Sequence, residues 1–325
     1  MNAVAPAKNS FGQSILTWLR ASLTPVSPRQ ATRATLLDAR EIQALAQRAH
    51  AIGALGAPRP DVQFRYAGDM RSIHLGQGLD FEESRLYQRG DDLRSMDWRT
   101  TARTGKAYVK VFREEHQAAV VFVVDRGATM RFGTQRRLKI TQAARLAVFG
   151  AFAALRKGTN VGGYVIGTEP VFLPPASGPS AAWRLIGAAT EPAPPLAVAQ
   201  DAFWQRLEAL DRLLARGARV VLISDFMHHT AAHAALITRL AQRFELAAVH
   251  VFDPAEVELP NIGLARFRNL SAGGGFTLDT ADARLRRDYN TSQCQKHDTL
   301  RAMFARVGVQ LVECPTTLDD LPFSA

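Results

Sequence analysis

From Ala119 onwards the chain alternates short, nearly continuous apolar runs with longer segments of helical periodicity. Apolar runs without a polar face are typical of parallel strands that are covered on both sides. The alternation therefore predicts an α/β domain, with a doubly wound, mainly parallel sheet and helices on both faces. The predicted strands are Ala119–Val124, Val161–Ile166, Val220–Ser224, Ala247–Phe252 and Val309–Val312.

The segments between these runs carry apolar stripes of helical period. The first is apolar nearly all round, which predicts a central position in the core. Glu169–Leu173 is predicted as an antiparallel edge strand that ends before the Pro174-Pro175 break, and Gly273-Gly274-Gly275 as a hairpin or irregular insertion. The predicted helices are Leu138–Leu155, Ala181–Ala189, Ala202–Ala215, Ala231–Gln242 and Ala283–Val307.

The chain ahead of Ala119 divides into two parts. Residues 1–33 lack strong periodicity and are rich in Ser, Pro, Ala and Gln, which predicts a mobile arm. Residues 34–117 combine a helix over Leu36–Ala49 with a charged loop and short strands, and we expect them to pack on the α/β domain of residues 118–325.

Residues 78–115 form a densely charged segment, called the signature segment below. Such a mixture of charges in a loop predicts ion pairs, and Gly90-Asp91-Asp92 predicts a tight turn whose carboxylates accept backbone amides. Trp98 and Tyr87 are predicted as apolar anchors beneath it. Two hypotheses stay open: a structural clasp for the N-terminal region, and a surface that binds a partner. The charged residues are Arg85, Arg89, Arg94, Arg99, Arg103, Glu82, Glu83, Asp91, Asp92 and Asp97.

The signature segment resembles that of the domain-of-unknown-function 58 family, in which a G-D-D-x-R-x-x-D-W-x-x-T-A-R core precedes a von Willebrand factor type A-like domain. The resemblance implies a non-enzymatic interaction module, an adaptor or assembly factor that works with a MoxR-type AAA+ ATPase. A stand-alone adhesion or scaffolding domain is the alternative. The residues that match the core are Gly90, Asp91, Asp92, Arg94, Asp97, Trp98, Thr101, Ala102 and Arg103.

Ligands of open α/β sheets bind beyond the carboxyl ends of the strands. Asp125 and Thr129 follow the first predicted strand, and Asp225 follows the strand Val220–Ser224. In von Willebrand A domains these places belong to a metal-ion-dependent adhesion site with a D-x-S-x-S motif. Gly127 stands where that motif has its first serine and has no oxygen to offer. The resemblance therefore implies a degenerate site that binds Mg²⁺ weakly or not at all, with the aspartates capping neighbouring loops as the alternative.

Charged and polar side chains beside this site are the candidate partner contacts. Arg126 and Arg131 could pair with partner carboxylates, and His228 and His229 could add a pH-sensitive contact. His229 and His233 have the spacing of neighbours on one helix face, which would allow a transition metal. A capping or solvated role is favoured, because the usual companion ligands are missing from the sequence nearby.

Composition and motifs disfavour several classes of protein. A P-loop, an H-E-x-x-H motif and a nucleophile elbow are all missing from the sequence, so we expect no enzyme. The net charge of +10 favours acidic partners, but the arginines are not interleaved with aromatic residues as in nucleic-acid-binding surfaces. The most apolar helical stretch, Leu146–Leu155, is too short to span a bilayer. Cys294 and Cys314 lack a disulfide pattern, which predicts a reducing, cytoplasmic setting.

Overall fold

The computed structural model describes residues 36–51, 79–88, 91–92, 95–114, 119–192, 202–268 and 275–321. These residues form two compact units, one with the described residues of 36–51 and 119–321 and one with those of 79–114. The predicted arm of residues 1–33 lies outside the described residues. The chain thus carries the signature segment as a unit of its own.

The helices and the strands are numbered separately, each in chain order. The helices are α1 (Ala39–Ala51), α2 (Trp98–Thr104), α3 (Lys139–Arg156), α4 (Pro179–Thr190), α5 (Ala202–Leu207), α6 (Leu210–Leu213), α7 (Ala231–Ala241), α8 (Pro254–Val257) and α9 (Ala283–Arg306). The strands are β1 (Leu79–Leu86), β2 (Tyr108–Glu114), β3 (Ala119–Asp125), β4 (Asn160–Ile166), β5 (Pro170–Ala176), β6 (Arg219–Ser224), β7 (Glu245–Phe252), β8 (Leu264–Arg268), β9 (Gly275–Asp279) and β10 (Gln310–Pro315).

The larger unit is built on a sheet of six described strands in the order β10-β7-β6-β3-β4-β5. Its neighbouring strands are parallel, apart from the antiparallel pair β4 and β5. The prediction of a mixed α/β fold with a mainly parallel sheet is confirmed. Strand β3 lies in the interior of the sheet, with six of its seven residues buried, which is why its sequence is apolar without alternation.

Helices cover both faces of the sheet. Alternate β3 residues point to opposite faces, so Phe122 faces α3 across Gly150, whereas Val121 and Val123 join a core cluster with residues of α5, α7 and α9. Helix α3 is buried nearly all round, as its sequence predicts. Helix α1 packs against α3 and buries Leu45 and Ala49, so the N-terminal helix belongs with the sheet unit.

Two predicted elements differ from the structure. The edge strand β5 continues through Pro174 and Pro175 instead of ending before them, because an edge strand with a register shift tolerates residues that lack an amide proton. The predicted helix over Ala202–Ala215 is two short helices, since a hydrogen bond from the Ala209 amide to the Arg206 carbonyl tightens the chain between them. Strands β8 and β9 form the predicted hairpin, although Gly273 and Gly274 lie outside the described residues.

The smaller unit is an antiparallel pair of strands, β1 and β2, with α2 in the connection. Asp97 caps α2 by accepting a hydrogen bond from the Thr100 amide at 3.1 Å. Gly105 ends the helix with a φ of 70°, which suits glycine because it has no Cβ. The cap and the turn together fix the orientation of a helix of only two turns.

Candidate functional site

The candidate site lies at the carboxyl ends of β3 and β6. From β3 the chain proceeds to β4 and β5 on one side of the sheet and then returns to β6 on the other side. Such a reversal opens a crevice between the two strand ends. Asp125 ends β3 and Asp225 follows β6, so the topology brings both carboxyl groups to this crevice.

Asp125 is buried and held by short contacts. Its Oδ2 accepts a hydrogen bond from the Ser224 hydroxyl at 2.5 Å, and its Oδ1 accepts one from the Gly127 amide at 2.8 Å. A Cβ on residue 127 would lie 3.0 Å from the same Oδ1. Glycine at this position therefore lets the loop fold closely over the carboxylate of Asp125.

Asp225 is paired with a buried lysine. The Nζ atom of Lys139 lies 2.7 Å from Asp225 Oδ2 and 2.6 Å from Glu256 Oε1. Lys139 begins α3 and is completely buried. The Thr129 hydroxyl donates to Asp225 as well, and the Asp225 Oδ1 accepts the Met227 amide at 3.0 Å. Asp225 is thus bonded to Thr129, to the Met227 amide and to the Lys139 ammonium, whereas Asp125 is bonded to Ser224 and Gly127.

The charges of the crevice are unequal. Burial, together with the nearby Asp225, raises the pKa of Asp125 to about 7. Although burial works against it, the attraction of Lys139 holds the pKa of Asp225 below its usual value. Burial outweighs the same attraction at Glu256 and raises its pKa. We assign the full negative charge to Asp225, because Asp225 is bonded directly to the Lys139 ammonium and Asp125 is not.

The predicted metal-site residues do not fit a divalent cation as they stand. Mg²⁺ needs a nearly complete octahedral shell of oxygen ligands. Asp225 Oδ2 is already bonded to the Lys139 ammonium, and Gly127 contributes an amide proton to Asp125 instead of an oxygen ligand. A metal would have to displace a buried positive charge. The expectation of weak or absent Mg²⁺ binding stays a prediction, now with Lys139 as its main physical reason.

Arg126 was expected to contact a partner, but its side chain is not on the surface of the described unit. The side chain is buried, and its guanidinium donates to the carbonyls of Ala188, Glu191 and Pro192 at 2.9, 2.6 and 3.1 Å. These carbonyls lie at the end of α4 and just beyond it, where a helix leaves acceptors without intrahelical partners. Arg126 therefore stabilises the carboxyl end of α4.

The loop after β6 is held in an unusual conformation. Phe226 and His228 have φ angles of 48° and 60°, a region that residues other than glycine seldom adopt. Phe226 is buried with its ring centroid 5.0 Å from that of Phe304, and the Trp204 indole donates to the Met227 carbonyl at 2.9 Å. Such backbone strain is found most often at functional sites.

The other predicted contacts beside the crevice are less exposed than expected. Arg131, His228 and His229 are all half-buried. His229 precedes α7, so it does not share a helix face with His233, and the paired-histidine hypothesis for this helix is wrong. His233 instead accepts the Thr230 amide at 3.1 Å and stacks on Trp204, which is the capping role that the sequence favoured.

Several residues of this site were missed by the sequence reasoning. Lys139 and Ser224 are partners of the two aspartates, and Glu256 is the second partner of Lys139, yet none of the three belongs to a recognisable motif after a strand. One usable signal was present. Lys139 and Gln142 are polar residues three positions apart on a helix that is otherwise apolar nearly all round, and polar groups in such a place need buried partners.

In the signature segment the described residues contain one of the predicted ion pairs, between Arg85 and Asp91. Arg85 binds both carboxylate oxygens of Asp91, which also accepts the Gln88 amide at 2.8 Å. This pair holds the pKa of Asp91 below its usual range. Gly90 and Arg94 lie outside the described residues.

Trp98 was predicted to be an apolar anchor of the segment. This prediction is wrong, because the Trp98 side chain is 69% exposed. Asp97, next to it, is buried and accepts hydroxyl donors from Ser84 and Thr100 at 2.6 and 2.7 Å. The Thr101 hydroxyl accepts the Tyr108 amide at 3.0 Å. Polar contacts thus hold α2 in place, and Trp98 is left on the surface with the exposed residues Arg99, Ala102 and Arg103.

The chain is similar in sequence to known proteins, and more distantly similar to solved structures. Uncharacterized proteins of Mycobacterium tuberculosis and Mycobacterium bovis are 30% identical over 259 residues, covering 78% of this chain and 79% of theirs. A conserved hypothetical protein BatB from Bacteroides thetaiotaomicron aligns at 16% identity over 62% of this chain and 91% of that one, with a TM-score of 0.40. An aerotolerance-related membrane protein from Bacteroides fragilis aligns at 16% identity over 61% and 92%, with a TM-score of 0.38.

No helix in the described part of this chain is both long enough and apolar enough to span a membrane. The family of proteins of unknown function DUF58 matches residues 83–299, which include most of the signature segment, the crevice and much of α9. The match covers well over half of the chain, and the relatives in the two mycobacteria match a similar share. The chain therefore belongs to the DUF58 family.

Proposed function

We propose that this chain is a non-enzymatic protein-interaction module, and that it binds its partner through the exposed face of α2. The observation that carries the proposal is the exposure of Trp98 beside Arg99 and Arg103 in the signature segment. Tryptophan and arginine are the residue types that most often dominate the binding energy of protein interfaces. A tryptophan side chain that is 69% exposed offers a large apolar area for a partner to cover.

In this proposal the charged residues of the crevice have a structural role. Asp125, Asp225 and Lys139 are buried and bonded to one another or to neighbouring groups of the same unit. Charges that are paired in this way hold loops in position and are not available to a reacting substrate. We propose that the larger unit is a von Willebrand A-like domain whose metal has been replaced by the Lys139 ammonium.

We propose a MoxR-type AAA+ ATPase as the partner, with the chain as its adaptor or assembly factor in the cytoplasm. The resemblance of the signature segment supports this choice. The net charge of +10 and the exposed arginines of α2 also suit an acidic surface on such a partner. Arginine can bind carboxylates in a bidentate manner, which would give the contact its specificity.

The test is a direct binding measurement between the purified chain and a purified MoxR-type ATPase from the same cell. Trp98→Ala should weaken binding by at least about tenfold, as expected for a residue central to an interface. Trp183→Ala is the matched control, because Trp183 is also exposed, at 52%, but lies on α4. The double change Arg99→Glu and Arg103→Glu should weaken binding further and reduce its dependence on salt.

Equal affinities for the wild-type chain and Trp98→Ala would contradict the proposed surface. No measurable binding to the ATPase would contradict the proposed partner. Binding that requires Mg²⁺ and is lost in Asp225→Asn would instead favour the alternative of an adhesion domain with a working metal site.

A further inference from the structure

A second cluster of polar side chains lies on β7, β10 and α9. Strands β7 and β10 are parallel neighbours whose register pairs His250 with Glu313. Residues paired in this way point to the same face of the sheet. On α9, His297 lies over them, with its ring centroid 4.7 Å from that of His250.

The three side chains can reach one common point. A ring nitrogen of His250, a ring nitrogen of His297 and a carboxylate oxygen of Glu313 all lie within 4.8 Å of one another. Ligand atoms around a tetrahedral Zn²⁺ are separated by about 3.3 Å, given bonds of about 2.0–2.1 Å. Small rotations of the two more exposed side chains, His297 and Glu313, would close this difference.

His250 has an unmet requirement. It is 5% exposed, and its Nδ1 has no hydrogen-bond partner among the described residues. A buried polar atom without a partner is costly, and it indicates that a ligand, an ion or a water binds beside His250.

We propose that His250, His297 and Glu313 form a binding site for a transition metal, with Zn²⁺ as the best-fitting ion. Two imidazoles and a carboxylate are ligands that Zn²⁺ accepts readily, whereas Mg²⁺ and Ca²⁺ prefer oxygen ligands alone. Three protein ligands leave a fourth position for water. Bound Zn²⁺ would tie α9 to the two strands at the outer side of the sheet.

Arg301 has a place in this arrangement. Its Nε and one terminal nitrogen lie 2.8 and 2.7 Å from Glu313 Oε1. A partner of this kind orients a carboxylate, as outer groups commonly do around metal sites. The Arg301 side chain is 54% exposed, so it can adjust when a cation binds.

The proposal does not depend on the proposed function. The site uses none of the residues of α2, and its ligands differ from His229 and His233, the pair that the sequence spacing suggested. The three ligands are far apart in the sequence, at positions 250, 297 and 313, and no spacing motif joins them.

The test uses the full chain after treatment with a chelator, titrated with Zn²⁺ alone in a calorimeter. One Zn²⁺ per chain is expected to bind. His297→Ala and Glu313→Gln should each weaken this binding by at least about tenfold. His50→Ala, which removes an exposed histidine on α1, should leave it unchanged. Co²⁺ in place of Zn²⁺ should give the strong visible absorption of a tetrahedral site in the wild-type chain and lose it in His297→Ala.

Circular dichroism of each variant, recorded without metal, shows whether the fold is kept. The proposal is overturned if the wild-type chain shows no saturable Zn²⁺ binding. It is also overturned if folded His297→Ala and Glu313→Gln variants bind Zn²⁺ with wild-type affinity, since the ion would then lie elsewhere.

Discussion

At the scale of single residues, the positive charge of Lys139 determines how the carboxylates of the crevice are paired. It is the buried positive charge bonded to both Asp225 and Glu256. Taking one partner out of a buried ion pair leaves the other charges without compensation, which is strongly destabilising. The two carboxyl groups then repel each other in a medium of low polarity.

Lys139→Met should therefore lower the free energy of unfolding at pH 7 by about 3–5 kcal/mol. Urea denaturation followed by circular dichroism measures this change. Lys157→Met is the control at the exposed other end of α3, where a change within about 0.5 kcal/mol is expected. If added Mg²⁺ stabilises Lys139→Met but not the wild-type chain, the ammonium occupies the place of a metal. Equal stability of both lysine variants would contradict this account of the crevice.

Asp125 gives the stability of the chain a pH dependence. Its pKa is about 7 when folded and 3.8 when unfolded, so the folded state holds the proton more tightly between these values. Its contribution to stability is complete below about pH 4 and is lost as the pH rises through 7. This is the reverse of the usual behaviour of a carboxylate in an ion pair.

Asp125→Asn removes the ionisation but keeps the shape of the side chain. The free energy of unfolding of the wild-type chain should fall relative to this variant between pH 4 and pH 8, by at most about 4 kcal/mol. Urea denaturation at several pH values measures the difference. Two curves that stay parallel across this range would show that the pKa of Asp125 is not raised.

Arg126 is expected to matter for folding. Arg126→Ala would leave the carbonyls of Ala188, Glu191 and Pro192 without their donor, at a cost of at least about 2 kcal/mol. Arg126→Lys should cost less, because it keeps the charge but not the planar fork. Arg184→Ala, an exposed change on the same helix, should have little effect. Thermal unfolding distinguishes these outcomes, and an unchanged transition in Arg126→Ala would contradict the capping role.

At the scale of elements, the strands of the sheet were predictable because the burial of a strand is visible in its own short stretch of sequence. A strand that is buried on both faces needs an unbroken apolar run, and β3 shows one in the sequence. The course of β5 was not predictable in the same way. Prolines usually end strands, and only its position at the edge of the sheet makes Pro174 and Pro175 acceptable.

The contact between α3 and β3 depends on one glycine. A Cβ on Gly150 would lie 2.4 Å from the Phe122 ring, so Gly150→Ala should destabilise the chain by about 1–3 kcal/mol through overpacking. That cost exceeds the gain of at most about 1 kcal/mol that alanine brings to a helix. Gly187→Ala, on α4 with nothing within 4 Å, should instead stabilise by about 0.5–1 kcal/mol. Chemical denaturation compares the two, and changes of the same sign would refute this packing argument.

At the scale of the whole molecule, stability and recognition are assigned to different places. The buried charges support the larger unit, whereas the exposed tryptophan of α2 adds little to either fold. Trp98→Ala should change the free energy of unfolding by no more than about 0.5 kcal/mol, as for other surface substitutions. A loss of several kcal/mol in urea denaturation would mean that Trp98 is an anchor after all.

The candidate site was predictable only in part. Asp125 and Asp225 could be placed together because parallel strands end at one edge and the reversal of strand order lies between them. Lys139, His250 and Glu313 could not, because their partners come from distant parts of the chain and depend on register and helix placement. The exposure of individual side chains was also not predictable, because the sequence does not distinguish a buried Arg126 from a surface arginine.

The lysine of the crevice has one more consequence. A bound metal can be diluted, chelated or exchanged, whereas an ammonium on a side chain is always present in the ratio of one to one. The loops beyond β3 and β6 would therefore keep their shape whatever the supply of divalent ions. A fold with this kind of built-in counter-ion does not depend on divalent ions to hold these two loops.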